Sequence, residues 1–288
     1  MSKIAVITDS NSGISQKQAA ELGITVIPMP FFAKGNQYFE DISLDEKGFY
    51  DMLANNIDVS TSQPSIGEIL SLWDKLLEEN EAIIHIPMSA GLSMSCETAS
   101  TFASEKPYAG KVFVVNNLRI SVTQRQSVLD TLELIKQGKS AQEIKDILET
   151  KALDASIYIC VDTLKYLKKG GRVTPAAAAF GALLNIKPVL QIQGAKLDAF
   201  KKTRGMKAAK NIMLQAAKND IEQRFGGIEN VHIAIAYTHN EEEALKFLQE
   251  VKETLPGAID YYMDHLSLSV SCHIGPGSLA IAMSKKID

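Results

Sequence analysis

The 288-residue sequence predicts an α/β fold of two domains, an α/β/α domain with a mainly parallel sheet and a second α/β domain with a mixed sheet. Three observations predict it. The chain is longer than a usual single domain. Short apolar runs alternate with helical patterns in the first half, as buried parallel strands and their crossover helices do. The order of elements then changes near residue 155 without a Pro/Gly/Ser-rich linker, so we expect two closely packed domains, 1–155 and 156–288.

Strands and helices of the first domain follow from local patterns. A capping box of Ser65 and Glu68 marks the start of one helix and places Thr61–Pro64 in the loop before it. The carboxyl ends of the parallel strands are where such sheets bind ligands. The predicted strands are Ile4 to Ile7, Ile24 to Met29, Ile83 to Met88 and Val112 to Val115, and the predicted helices are Ser15 to Leu22, Phe49 to Asn55, Ile66 to Glu79 and Ser95 to Ser104.

The second half shows a different order of elements. Another capping box, Ser140 with Glu143, starts a helix shortly before the predicted boundary. Two strand-like runs flank Gly194 as in a β-hairpin, which indicates antiparallel pairing. The predicted strands are Ile157 to Val161, Ile186 to Ile192, Leu197 to Lys201, Val231 to Tyr237, Ile259 to Tyr262 and Leu279 to Met283.

Composition excludes several classes of protein. A net charge of −4, from 30 basic and 34 acidic residues, provides no overall field for nucleic acid or an anionic membrane. Three widely spaced cysteines predict neither a disulfide framework nor a zinc knuckle, and a reducing cytosol is the simplest compartment. The opening apolar run is shorter than the core of a signal peptide, and no run has the length of a membrane span. We therefore expect a cytoplasmic protein.

Two hydroxyl-rich segments precede predicted helices, where the positive end of the helix dipole favours an anion. The first is Thr61-Ser62-Gln63-Pro64-Ser65, for which ordinary helix capping is the alternative. The second is Ser89-Ala90-Gly91-Leu92-Ser93-Met94-Ser95, which follows a strong strand. It resembles the G-x-S-x-G nucleophile elbow, so a serine esterase using Ser93 is an alternative. This alternative is weakened because Ser95 stands where the second glycine belongs and because no partner histidine or aspartate is distinctive in the sequence.

Glycine-rich turns carry the remaining candidate residues. His273 precedes Gly275-Pro276-Gly277, where the backbone can approach a bound group, although a lone histidine is usually structural. Arg172 and Arg204 lie in the two dense basic clusters, for which a solvated surface is the alternative. No histidine spacing predicts a metal site. No P-loop is present either, because Glu133 stands where the glycine before Gly138-Lys139-Ser140 would be required.

Six motifs occur in order along the chain: the Thr-Asp-Ser start, TSQPS, SAGLS, KKGGRV, the LNIKPVL-to-KKTRGMKA stretch and HIGPG. Taken together, they resemble the DegV family from Ile4 to Met283. The resemblance implies a DegV-like fold with a long-chain fatty acid enclosed between its two domains. It also implies a non-catalytic subunit that presents the acid to a separate fatty acid kinase and carries the acyl phosphate toward phospholipid synthesis. The expected ligand is the fatty acid itself, with no cofactor.

Carried over by position, Thr61, Ser62, Ser93 and His273 match residues around the fatty acid carboxylate. Arg172 and Arg204 match a surface that engages the catalytic subunit of the kinase. The expected partners are this subunit and the fatty acid, with room for a transient membrane contact and no nucleic acid. A lipid-binding regulatory module without a kinase partner is a further alternative. The chain departs from the family between Asn116 and Gln126, which leaves that part of the expected pocket and the preferred acyl chain open.

Overall fold

A computed structural model describes residues 3–40, 42–179 and 186–287 of the chain. It divides into two units, Met1–Ala152 and Leu153–Asp288. Of the predicted hairpin and its flanking motif, residues 184 and 185 lie outside the described residues. Within the described ranges, no helix combines the length and apolar character needed to cross a bilayer.

The first unit contains seven strands and six α-helices among its described residues. The strands are β1 (Ile4–Asp9), β2 (Thr25–Ile27), β3 (Phe31–Ala33), β4 (Asn36–Tyr38), β5 (Val59–Thr61), β6 (Ala82–Ile86) and β7 (Val112–Val114). The helices are α1 (Gln16–Leu22), α2 (Glu46–Ala54), α3 (Ile66–Leu77), α4 (Ser95–Ala103), α5 (Val122–Lys136) and α6 (Ala141–Thr150).

A four-stranded sheet of order β2-β1-β6-β7 organises the first unit, and every pair in it is parallel. Ile7 and Ile83 pack against α3 and α4 around Trp73, which is fully buried. Because side chains alternate along a strand, Val6 and Ile84 face the other way, where α5 and α6 contact the strands. The α/β/α arrangement predicted from the apolar runs is confirmed.

A small antiparallel sheet of order β4-β3-β5 was not predicted. Each of its strands has only three residues, which is too short for an alternating pattern to stand out. Thr61 ends β5 and pairs with Phe31, so it belongs to a strand, and the loop before α3 begins only at Ser62.

Both predicted capping boxes are present. Ser65 Oγ accepts from Glu68 N at 3.2 Å and Ser140 Oγ accepts from Glu143 N at 3.3 Å, so the two hydroxyls start α3 and α6. Ser140 therefore has an ordinary capping role, in agreement with the absence of a P-loop motif in the sequence.

The second unit contains six strands and five α-helices among its described residues. The strands are β8 (Ala155–Cys160), β9 (Lys187–Ile192), β10 (Asp198–Thr203), β11 (Val231–Tyr237), β12 (Asp260–His265) and β13 (Leu279–Lys285). The helices are α7 (Lys165–Gly170), α8 (Pro175–Ala179), α9 (Met206–Gln223), α10 (Glu241–Thr254) and α11 (Leu268–Ile274).

The strands of the second unit form one six-stranded sheet of order β10-β9-β8-β13-β11-β12. Among its described strands, only β11 and β12 pair in parallel and the other neighbours are antiparallel, so the sheet is mixed as predicted. The hairpin around Gly194 is confirmed by the pairing of β9 with β10. All three cysteines, Cys96, Cys160 and Cys272, are buried free thiols.

Candidate functional site

The two hydroxyl-rich segments of the first unit lie side by side. Thr98 Oγ1, on α4, donates to Gln63 Oε1 at 3.4 Å, which links the segment before α3 to the helix that follows Ser89–Ser95. Ile66, the first residue of α3, and Ala90, in the turn after β6, pack against the same apolar cluster. The segment of Thr61 and Ser62 is thus linked, through Gln63, to the helix that follows Ser93, and their role around a carboxylate stays a prediction.

The segment after β5 uses much of its own hydrogen-bonding capacity. Ser62 is exposed, its N–H donates to Pro30 O at 3.1 Å, and its hydroxyl donates to Gln63 O at 3.1 Å. Pro64 is buried and Ser65 caps α3. The backbone of this segment is therefore held by the small sheet and by the helix cap, and the Ser62 hydroxyl can donate to a ligand only by giving up its bond to Gln63 O.

The segment after β6 is a tight turn that ends in α4. Leu92 N and Ser93 N donate to Ser89 O at 2.9 and 3.2 Å, and Gly91 N donates to Ser89 Oγ at 3.2 Å. Ser93 Oγ accepts from Ser95 N at 3.2 Å and lies 2.8 Å from Ser95 Oγ. This pairing does not resemble a catalytic serine, because Ser93 is bonded to a second serine instead of an imidazole.

A buried polar network anchors the start of this turn, and the sequence did not predict its role. Asp9 Oδ2 accepts from Met88 N at 2.8 Å, while Asp9 Oδ1 accepts from Asn11 Nδ2 at 2.8 Å and from Gln124 Nε2 at 3.2 Å. Burial raises the pKa of the Asp9 carboxyl, and these hydrogen bonds offset part of the increase. The only available signal was the Thr-Asp-Ser sequence at the end of the first apolar run. Asp9 fixes the residue that immediately precedes Ser89.

Residues of the atypical segment between Asn116 and Gln126 take part in similar internal contacts. Gln124 Nε2 also donates to Thr8 Oγ1 at 3.0 Å and to Ile86 O at 3.2 Å. Asn117 Nδ2 donates to Ser127 Oγ at 2.6 Å, and Arg119 Nη2 donates to Lys151 O at 2.9 Å. Side chains of the 116–126 segment thus connect β1, β6 and the start of α5.

His273 lies in the last turn of α11. The sequence predicted the glycine-rich turn that follows this residue but not the helix that precedes it. Its imidazole packs against Gly170 at the end of α7, and Gly275 packs in the same way against the ring of Tyr166. The KKGGR and HIGPG motifs, separated by about a hundred residues of sequence, therefore meet within the second unit. Glycine is required at both contacts because a side chain would occupy the space of the neighbouring ring.

Electrostatics keep His273 neutral at physiological pH. Burial, together with the positive charges of Arg172 and Lys169, lowers the pKa of the imidazole to about 4. Arg172 is half-buried, and its guanidinium donates to Gly170 O beside the histidine. One of the two predicted docking residues therefore lies next to a predicted carboxylate-binding residue.

Arg204 has different surroundings. It is exposed in the turn between β10 and α9, beside the exposed Lys201 and Lys202. Asp162 forms an ion pair with Lys187. Within the described ranges, no group of three or more His, Cys, Asp or Glu side chains is arranged to hold a metal ion.

The family model described as "Uncharacterised protein, DegV family" matches residues 3–286. Protein DegV of Bacillus subtilis is 31% identical over 281 residues, covering 96% of this chain and 98% of that protein. Its crystal structure, described as that of a fatty acid binding protein, has a TM-score of 0.88 and 30% identity, covering 99% of this chain and 100% of that one.

A second solved structure shows the same correspondence. A DegV family protein from Thermus thermophilus, described by its fatty acid binding, has a TM-score of 0.90 and 28% identity, covering 98% of this chain and 99% of that one. Similarity of this extent covers both units. The chain belongs to the DegV family.

Proposed function

We propose that this chain binds a long-chain fatty acid and presents its carboxylate to the catalytic subunit of an ATP-dependent fatty acid kinase. The observation that carries the first part is the full-length similarity to the two fatty acid binding proteins from Bacillus subtilis and Thermus thermophilus. The kinase partner and the delivery of acyl phosphate to phospholipid synthesis rest on the family resemblance. The enclosure of the acid between the two domains stays a prediction as well.

Residue chemistry in each unit supports a carboxylate ligand. Burying about fifteen methylenes at roughly 0.8 kcal/mol each contributes roughly 12 kcal/mol, but an ion in an apolar pocket must be hydrogen-bonded to stay charged. Thr61 and Ser93 are the proposed hydroxyl donors of the first unit, and Ser62 joins them by exchanging its bond to Gln63 O for one to the carboxylate. In the second unit, neutral His273 offers an imidazole next to the positive charge of Arg172.

In this proposal, the chain performs no chemical step without its kinase partner. Hydroxyl groups hold the carboxylate without covalent chemistry. Its oxygen attacks the γ-phosphorus of ATP bound to the partner, the bond to the β–γ bridging oxygen breaks, and ADP leaves as the acyl phosphate forms. Positioning and charge stabilisation are the main contributions that proteins make to phosphoryl transfer. Arg172 and Arg204 are the proposed docking residues, of which Arg204 is the exposed one.

Mass spectrometry of the lipid that co-purifies with the protein tests ligand class directly. We expect a long-chain fatty acid, and recovery of another lipid class would contradict the proposal. Titration with a fluorescent fatty acid then tests the site. Ser93→Ala and Thr61→Ala should each weaken binding by about 1–3 kcal/mol, the usual loss at a charge-assisted hydrogen bond. Wild-type affinity in both folded variants would place the carboxylate elsewhere.

A further inference from the structure

Ser93 and Ser95 form a short hydroxyl pair at the start of α4. Their Oγ atoms are 2.8 Å apart, and the N–H of Ser95 donates to Ser93 Oγ at 3.2 Å. Ser95 is buried, with only 4% of its surface exposed, whereas Ser93 is half-buried. The two serines therefore differ in access: one can face a ligand and the other cannot.

Burial decides which hydroxyl donates within the pair. A serine hydroxyl has one proton to donate and two lone pairs that accept. Among the described residues, Ser93 Oγ is the side-chain partner of the Ser95 hydroxyl. If Ser93 donated, the Ser95 proton would be buried without an acceptor, which is costly. The favoured arrangement has Ser95 O–H donating to Ser93 Oγ.

In this arrangement the Ser93 hydroxyl can only donate a hydrogen bond to a ligand. Its two lone pairs accept from the N–H and the O–H of Ser95, so only its own proton remains for a ligand. Donation from Ser95 also polarises the Ser93 hydroxyl and makes it a stronger donor. The Ser93 hydroxyl is thereby suited to donate a hydrogen bond to an acceptor, and most of all to an anionic one.

We propose that Ser95 is a positioning residue that makes Ser93 a donor-only hydroxyl and so selects a carboxylate headgroup over an uncharged one. The inference rests on the proposed fatty acid ligand and deepens it. Ser95 itself does not touch the ligand. Its effect should therefore show in the preference for acid over alcohol, whereas a purely structural role would change the affinities for both ligands in parallel.

The experiment compares oleic acid with oleyl alcohol, each displacing a fluorescent fatty acid from delipidated protein. Ser95→Ala should weaken oleic acid binding about threefold to tenfold and oleyl alcohol binding by less than about twofold, because the charge-assisted hydrogen bond is the stronger one. Ser95→Cys fills the same space with a weak donor and should also lower the acid preference. Ser95→Thr retains the hydroxyl and should keep the wild-type preference for oleic acid over oleyl alcohol. Ser100→Ala, an exposed position on the same helix, is the matched control and should match the wild type.

Outcomes separate this inference from the proposed function. If Ser93→Ala loses oleic acid binding while Ser95→Ala and Ser95→Cys retain wild-type preference, Ser95 has no positioning role and the ligand assignment stands. Parallel loss of acid and alcohol binding in the Ser95 variants would make the residue structural only, and would equally overturn the inference. Failure of the wild type to bind oleic acid at all would overturn both.

Discussion

The imidazole ring of His273 lies against the α-carbon of Gly170, so closely that a β-carbon at residue 170 would overlap the ring. We therefore expect Gly170→Ala to destabilise the protein by about 1–3 kcal/mol, the usual cost of overpacking a close contact. Chemical denaturation measures the change. Gly67→Ala is the matched control, because a β-carbon at residue 67 on α3 meets no neighbouring atom. A loss of stability no larger than that of the control would contradict the contact.

Acid should destabilise the protein through His85, which is buried on β6 in edge-to-face contact with Trp73. Burial lowers the pKa of His85 to about 4, so the folded chain binds fewer protons than the unfolded chain between that value and about 6.5. The contribution of His85 to the free energy of unfolding is then fully present above about pH 6.5. It falls by ~3 kcal/mol as the pH drops toward 4.

The comparison with His85→Phe isolates this effect, because phenylalanine keeps a ring against Trp73 and cannot titrate. The difference in unfolding free energy between the two proteins should change between pH 6.5 and 4 in favour of the variant. Asp9 acts in the opposite direction, since its raised pKa favours the protonated folded form, and the variant comparison cancels its contribution. A difference that is independent of pH would show that His85 does not titrate as expected.

Removing the charge of Arg172 should raise the pKa of His273. The guanidinium is one of two cations that disfavour the imidazolium, so Arg172→Gln should move this pKa upward from about 4, while burial keeps it below its ordinary value. An NMR titration of the imidazole protons provides the measurement. Arg204→Gln is the control and should leave the pKa unchanged. Equal shifts in the two variants would contradict the placement of Arg172 beside His273.

Charge reversal at Arg204 should separate docking from ligand binding. Because Arg204 is exposed in a basic turn, Arg204→Glu should leave fatty acid affinity near wild type and greatly reduce acyl phosphate formation with the kinase subunit. Turnover should also fall as salt rises, since exposed charges are screened beyond about 8 Å at physiological ionic strength. Lys218→Glu, on exposed α9 surface outside the basic turns, provides a charge-matched control. Parallel loss of fatty acid binding and turnover in Arg204→Glu would place Arg204 in the pocket or the fold.

Sequence alone determined the fold class, the capping boxes and the hydroxyl-rich segments, because these depend on patterns within a few residues. The apolar run of β1 and the Ser65–Glu68 box are visible without knowledge of any distant contact. The three-residue strands of the small sheet were missed because they owe their structure to their partners.

Only the tertiary structure decided how individual polar groups are used. Gln124 reaches Asp9 across 115 residues of sequence, and Arg172 lies beside His273 because α7 and α11 meet through glycines. Nor does sequence reveal that Ser95 is buried while Ser93, two residues earlier, is not. The physical reason is that burial and charge depend on what a neighbouring element brings within a few ångströms, and local propensity carries no information about that neighbour.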